Sequence, residues 1–300
     1  MDPEQIAIPE FKDQTEGLRR AGCWQIGVGC LFGLAAMWTA LAGHGRLSQS
    51  STLARGLSVL TLGCYWIALG AGSVARRRWA RALCLSFSMV LLFATAVALP
   101  FLVVVLPRMS ARPRTLFISL VLFAGPFTLM EAIFFRFYRR SDVRATVEKY
   151  DRVESWTDRV PLHVMVMSTW LCFTATGYLQ YALRGTFFLL GTAYTGAAAV
   201  LLNIAAANIY VALAIYLCQL RLPAWRALLA TQLFVFLNII YRSADTVSGS
   251  SNRIAAGPVL QGIWLLFSIG VIAHVFYIRR YFAESGGGGP DENATPVAPT

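Results

Sequence analysis

Eight apolar stretches, each near the length needed to cross about 30 Å of hydrocarbon, leave this chain few folds to choose from. They are Trp24–Ala42, Leu53–Val74, Ala82–Leu106, Thr115–Phe135, Pro161–Ala182, Ala193–Leu220, Ala224–Ser243 and Gly257–Tyr277. A soluble core of this size needs polar faces on its helices, and these stretches mostly lack them. A mean hydropathy of +0.58, with 57% hydrophobic and 14% charged residues, agrees. The sequence therefore predicts an all-α fold, a polytopic transmembrane helix bundle of eight spans, or seven if Trp24–Ala42 does not cross.

The formal charge of +11 invites a nucleic-acid partner, but the placement of the basic residues argues against one. They sit in short blocks between apolar stretches, as membrane topology requires. The blocks at 12–20, 76–81, 136–159, 221–226 and 279–280 fall on one side. Arg46, Arg55, Arg184, Arg242, Arg253 and the dissenting Arg108, Arg112 and Arg114 fall on the other. This bias puts both termini in the cytosol. The expected organisation is a cytosolic tail over 1–23, a helix bundle over 24–280 and a cytosolic tail over 281–300. Glu284-Ser-Gly-Gly-Gly-Gly-Pro opens the last of these with a linker composition. Within the bundle, Arg139–Val160 carries Val143, Val147, Tyr150, Val153, Trp156 and Val160 at helical spacing. It reads as an amphipathic helix that lies on the membrane surface or extends the fourth spanning helix, with a solvated extension favoured over a partner-docking role, and it carries a capping-box pattern at Ser155-Trp-Thr-Asp158.

Small residues mark close helix packing. Gly29 and Gly33 form a GxxxG pair in the first stretch, and Gly63, Gly70 and Gly72 follow in the second. The six cysteines lie in or beside apolar helices without metal spacing and read as small buried thiols. No metal or cofactor is expected.

Polar side chains within the apolar stretches are the candidates for function, because they are costly there. Glu131 lies five residues before Arg136. It reads either as a carboxylate snorkelling toward Arg136, Arg139 or Arg140, or as a proton carrier or ligand contact. Asn203 and Asn208 read as glue between helices or as a polar wall of a cavity. Asn238, Tyr241, Arg242 and Asp245 fall within about a 100° sector of one helix. At 1.5 Å per residue, Arg242 lies about 24 Å and Asp245 about 28 Å beyond Arg226, toward the outer surface. An Arg242–Asp245 pair would reduce the burial cost of both.

Several chemistries are excluded. Histidine-rich di-iron sites cannot be assembled from His44, His163 and His274. No paired Asp-rich motif, GxSxG, P-loop or GxGxxG before a helix is present. What survives is an integral membrane protein that binds or translocates a lipid or other hydrophobic small molecule. A metal-free enzyme such as an acid-initiated terpene cyclase, with Glu131 or Asp245 as the acid, is the alternative. A receptor-like bundle without catalysis is the third reading. Membrane lipids are expected partners in every case, and self-association stays open.

The stretch Asn238-Ile-Ile-Tyr241-Arg242-Ser-Ala-Asp245-Thr-Val-Ser-Gly249 resembles the penultimate-helix signature of the fungal lipid-translocating exporter family. That signature runs Arg-x-x-Phe-Arg-x-x-Glu with a glycine four residues on. Arg242 and Gly249 match it, Tyr241 and Asp245 replace like with like, and Asn238 departs. The resemblance implies a seven-helix core, lipid export or resistance to sterol analogues and sphingoid bases, and a cytosolic C-terminus.

Overall fold

The computed structural model describes residues 12–42, 49–105, 111–190, 192–248 and 257–284. Side chains are described over a smaller set, which leaves out those of residues 98–124 and 242–261. The protein is an all-α polytopic membrane bundle. Seven segments among the described residues are long and apolar enough to cross a membrane: Thr15–Thr39, Gly56–Val74, Arg78–Val97, Leu162–Arg184, Ala197–Cys218, Leu222–Tyr241 and Trp264–Phe282. The remaining expected stretch, Thr115–Phe135, falls in a 28-residue helix with Pro126 inside it. Much of that helix lies among the side chains left out, so the bundle has seven or eight spans.

The chain divides into two compact units. The first comprises Met1–Phe93 and Leu122–Leu162. Its helices are α1 (Thr15–Ala42), α2 (Gln49–Val74), the first part of α3 (Arg78–Val105) and the later part of α4 (Ala111–Tyr138). The short helices α5 (Ser141–Tyr150) and α6 (Trp156–Arg159) complete it. Helix α1 begins at Thr15, well before the apolar run at Trp24, so part of the expected tail is helical.

Glycine sets how α1 and α2 meet. A Cβ on Gly22 would sit 2.6 Å from the Gly70 carbonyl oxygen, and one on Gly29 would sit 2.7 Å from that of Gly63. Real Cβ atoms do not approach that closely, so the two backbones touch at both levels. In lipid, where apolar burial gives helices no advantage over acyl chains, such close van der Waals packing drives association. Gly33, the second half of the sequence pair, would meet nothing within 4 Å. The working pairs lie across helices, at Gly22–Gly70 and Gly29–Gly63.

The second unit comprises Ala94–Val121 and His163–Thr300. It contains α7 (Leu162–Arg184), α8 (Ala197–Cys218), α9 (Leu222–Ser248) and α10 (Gly257–Glu284). An antiparallel hairpin of β1 (Thr186–Leu189) and β2 (Thr192–Thr195) sits between α7 and α8. The sequence placed Ala193 inside a helix, and the structure corrects this: α8 begins at Ala197. Gly185 at φ +63 and Gly196 at φ +74 bracket the hairpin, and the Gly196 N–H donates to the Gly185 carbonyl at 3.1 Å. Both take a left-handed backbone that glycine adopts without steric cost.

The surface connection also differs from the single amphipathic helix expected. It breaks into α5 and α6, and Val143, Val147 and Val160 turn inward while Tyr150, Val153 and Trp156 are exposed. The Ser155 N–H donates to Asp158 Oδ2 at 3.0 Å, which starts α6 as the capping pattern predicts. Of the cysteines, only Cys84 is buried; Cys218 is intermediate and the other four are exposed. The buried-thiol expectation therefore holds for one residue.

Candidate functional site

Helices α1 to α4 of the first unit enclose a polar core. Glu131 on α4 is 1% exposed. Its Oε2 accepts a hydrogen bond from the Ser88 hydroxyl of α3 at 2.6 Å. Its Oε1 is buried with no hydrogen-bond partner among the described residues. The snorkelling expectation is overturned: the carboxyl group turns inward to a serine, and no ion pair joins it to Arg136, Arg139 or Arg140 among the described residues. One turn on, Phe134 packs against Trp66 of α2 with ring centroids 5.9 Å apart. Trp66 also meets Phe87 at 5.5 Å and Phe127 at 5.9 Å. Its indole Nε1 is likewise buried without a partner among the described residues.

About two turns toward the arginine-rich end, Tyr138 closes the same helix. Its hydroxyl donates to Ser73 Oγ at 2.7 Å and lies 3.3 Å from Gln25 Oε1. Gln25 Nε2 in turn donates to Cys84 Sγ at 3.2 Å. Four helices thus contribute one group each, and all four residues are buried. Buried polar groups must be satisfied, and this network satisfies itself. Glu131 and Trp66 stand apart because each keeps an unused polar atom. A carboxylic acid in this setting is expensive and marks a functional candidate by default.

The basic end of the first unit is closed by α5. The Asp151 carboxylate accepts from the Arg78 N–H at 3.0 Å and pairs with Arg77 at 3.5 Å. Near the start of α1, the Gln14 N–H donates to Thr146 Oγ1 at 3.0 Å, and the Tyr150 hydroxyl donates to Asp13 Oδ2 at 3.0 Å. Hydrogen bonds from Thr15 hold the Asp13 carboxyl below its usual range. The Glu148 carboxylate raises the pKa of Arg144.

In the second unit, Asn203 and Asn238 work on the same element, the hairpin. Asn203 Nδ2 donates to the Thr186 carbonyl at 2.9 Å and to the Ala199 carbonyl at 2.7 Å. Asn238 Oδ1 accepts from the Leu190 N–H at 2.6 Å, and its Nδ2 donates to the Phe188 carbonyl at 3.4 Å. Sequence reasoning singled out both asparagines without seeing the element they hold. Asn208 is on the exposed face of α8, and Tyr241 is 57% exposed at the far end of α9. The backbone of Arg242 and Asp245 belongs to α9, while their side chains lie outside the described residues.

One cluster escaped the sequence reading. His274 Nε2 lies 3.1 Å from the His163 carbonyl oxygen, and the two imidazole rings are 5.7 Å apart. Tyr277 packs on both rings. The residues are more than a hundred positions apart, and a lone histidine carries no signal of its partner. Among the described residues, no three His, Cys, Asp or Glu side chains come together in a group that could hold a metal ion. No family model, curated protein or solved structure matches the chain.

Proposed function

We propose that this integral membrane protein binds or translocates a lipid or another hydrophobic small molecule, and that Glu131 carries the proton or polar contact the process uses. The observation behind this reading is the unpartnered Oε1 of Glu131, buried between apolar helices and available for one further hydrogen bond. An intramembrane acid on a helix with an internal proline suits a proton relay or a polar ligand contact. The resemblance of Asn238–Gly249 to lipid exporters favours a lipid or sphingoid base as cargo. The depth counted along the sequence from Arg226 supports Arg242 and Asp245 as the mouth of the binding region. The loop charges assign both termini to the cytosol.

The test is flux of a fluorescent sphingoid base in proteoliposomes under an imposed pH gradient. Glu131→Gln keeps the shape of the side chain and removes the titration, so flux should fall at least tenfold. Arg242→Ala and Asp245→Ala should each abolish flux. Wild-type rates in all three variants would remove the proposal.

The cyclase alternative draws on the same acid, with Trp66, Phe87 and Phe134 as rings able to stabilise a carbocation. It predicts a new product when purified protein meets a polyprenyl substrate. Recovery of unchanged substrate, together with pH-driven flux, decides for transport.

A further inference from the structure

A shallow cleft at the arginine-rich end of the first unit plays no part in the function proposed above. Arg78, Arg81, Arg144, Val147, Glu148 and Asp158 line it. Arg78 is committed to protein: its Nε donates to the Asp151 carbonyl, its Nη2 to the Glu148 carbonyl, and its Nη1 pairs with Asp158. Arg81 commits only its Nε, to the Tyr138 carbonyl at 3.0 Å. Its two terminal nitrogens have no hydrogen-bond partner among the described residues, although the residue is half-buried. Arg144 commits only its Nε, to Glu148 at 2.7 Å. Glu148 and Asp158 line the same cleft and offset part of this charge.

Two guanidinium forks with free nitrogens at one opening are the donor set that a phosphate group takes, because their planar N–H pairs match its oxygens. The depth is also right. Arg78 begins a helix long and apolar enough to cross a membrane, and a span that starts there would put the cleft at headgroup level. Beside it, the 139–160 connection exposes Tyr150, Val153 and Trp156, an apolar and aromatic set typical of the interface. We propose that the mouth of this cleft, whose interior has room for about one water, holds the phosphate of an anionic membrane lipid against the open nitrogens of Arg81 and Arg144. Free inorganic phosphate offers the same chemistry without acyl chains, and the experiment separates the two.

Purified full-length protein in neutral detergent micelles is titrated with short-chain phosphatidic acid, with phosphatidylcholine and with inorganic phosphate, and thermal unfolding is followed. Phosphatidic acid alone should raise the Tm of the wild type. Arg81→Gln and Arg144→Gln should each weaken its apparent affinity about fivefold. Arg20→Gln, which loses only an exposed contact to Glu16 within α1, should leave it unchanged. If Arg81→Gln fails to fold for want of its Tyr138 bond, Arg144→Gln on the exposed face of α5 carries the comparison. Hydrogen exchange of α5 in the wild type is the second readout and should slow with phosphatidic acid. Equal Tm shifts in wild type and Arg144→Gln would overturn the proposal. So would equal effects from phosphatidylcholine or inorganic phosphate, or unchanged exchange in α5.

Discussion

Ser88 and Glu131 face each other across the α3–α4 contact, with Oγ to Oε2 at 2.6 Å, deep among apolar side chains. The serine satisfies one carboxyl oxygen and leaves the other unused. Ser88→Ala should leave both unsatisfied and lower stability by about 1–3 kcal/mol. Glu131→Ala adds a void and should cost about 2–5 kcal/mol. Glu131→Gln should lie within about 1 kcal/mol of wild type, since its amide still accepts from Ser88. Thermal unfolding of the three variants in one detergent checks the order.

The glycine contacts between α1 and α2 predict a sharp positional contrast. Gly22→Ala and Gly70→Ala each force a Cβ within about 2.6 Å of a facing carbonyl and should destabilise by about 1–3 kcal/mol. Gly27→Ala and Gly33→Ala, which meet nothing within 4 Å, should be neutral or slightly stabilising. Unfolding midpoints of the four proteins give the comparison directly.

Asp151 ties the 139–160 connection to the α2–α3 turn. Asp151→Ala removes the acceptor of the Arg78 N–H and should loosen the connection at a cost of about 1–3 kcal/mol. Limited proteolysis should then cut within 139–160 while the spanning helices stay intact.

Asp13 gives a pH prediction. Its folded pKa lies below the ordinary 3.8, so its contribution is present above that value and fades as pH falls through the folded pKa. The carboxylate accepts from Tyr150 and lies 3.7 Å from Lys149 Nζ. Acidification below about pH 4 should therefore weaken the Thr15 hydrogen bonds that cap the start of α1, and with them the contacts to Tyr150 and Lys149, while the Gln14–Thr146 bond persists. Amide exchange at residues 12–15, measured across that range, should rise in the wild type. It should show no such step in Asp13→Asn, whose amide oxygen still accepts from Thr15 but does not titrate.

Asn203 and Asn238 hold the hairpin from two helices. Asn238→Leu should release the Leu190 N–H and speed exchange across Thr186–Thr195 about tenfold, an opening cost of about 1.4 kcal/mol. Exchange in α8 should not change, because its own backbone ladder is untouched.

Hydropathy made the spans legible, since only an apolar run of this length can cross lipid. It could not reveal the hairpin, because Thr186–Leu189 and Thr192–Thr195 join an apolar run that reads equally well as helix. The glycines at 185 and 196 were the available signal, one at each end of a β-branched and aromatic segment. Glu131 was visible as an oddity, but its nearest basic neighbours in sequence pointed toward the interface. Its actual partner is Ser88, on the preceding spanning helix. The Gln25–Tyr138 contact spans 113 positions, and no local pattern encodes it.

Because no side chain separates Gly22 from Gly70, the α1 and α2 main chains meet directly, and any larger residue at either position would wedge the two helices apart.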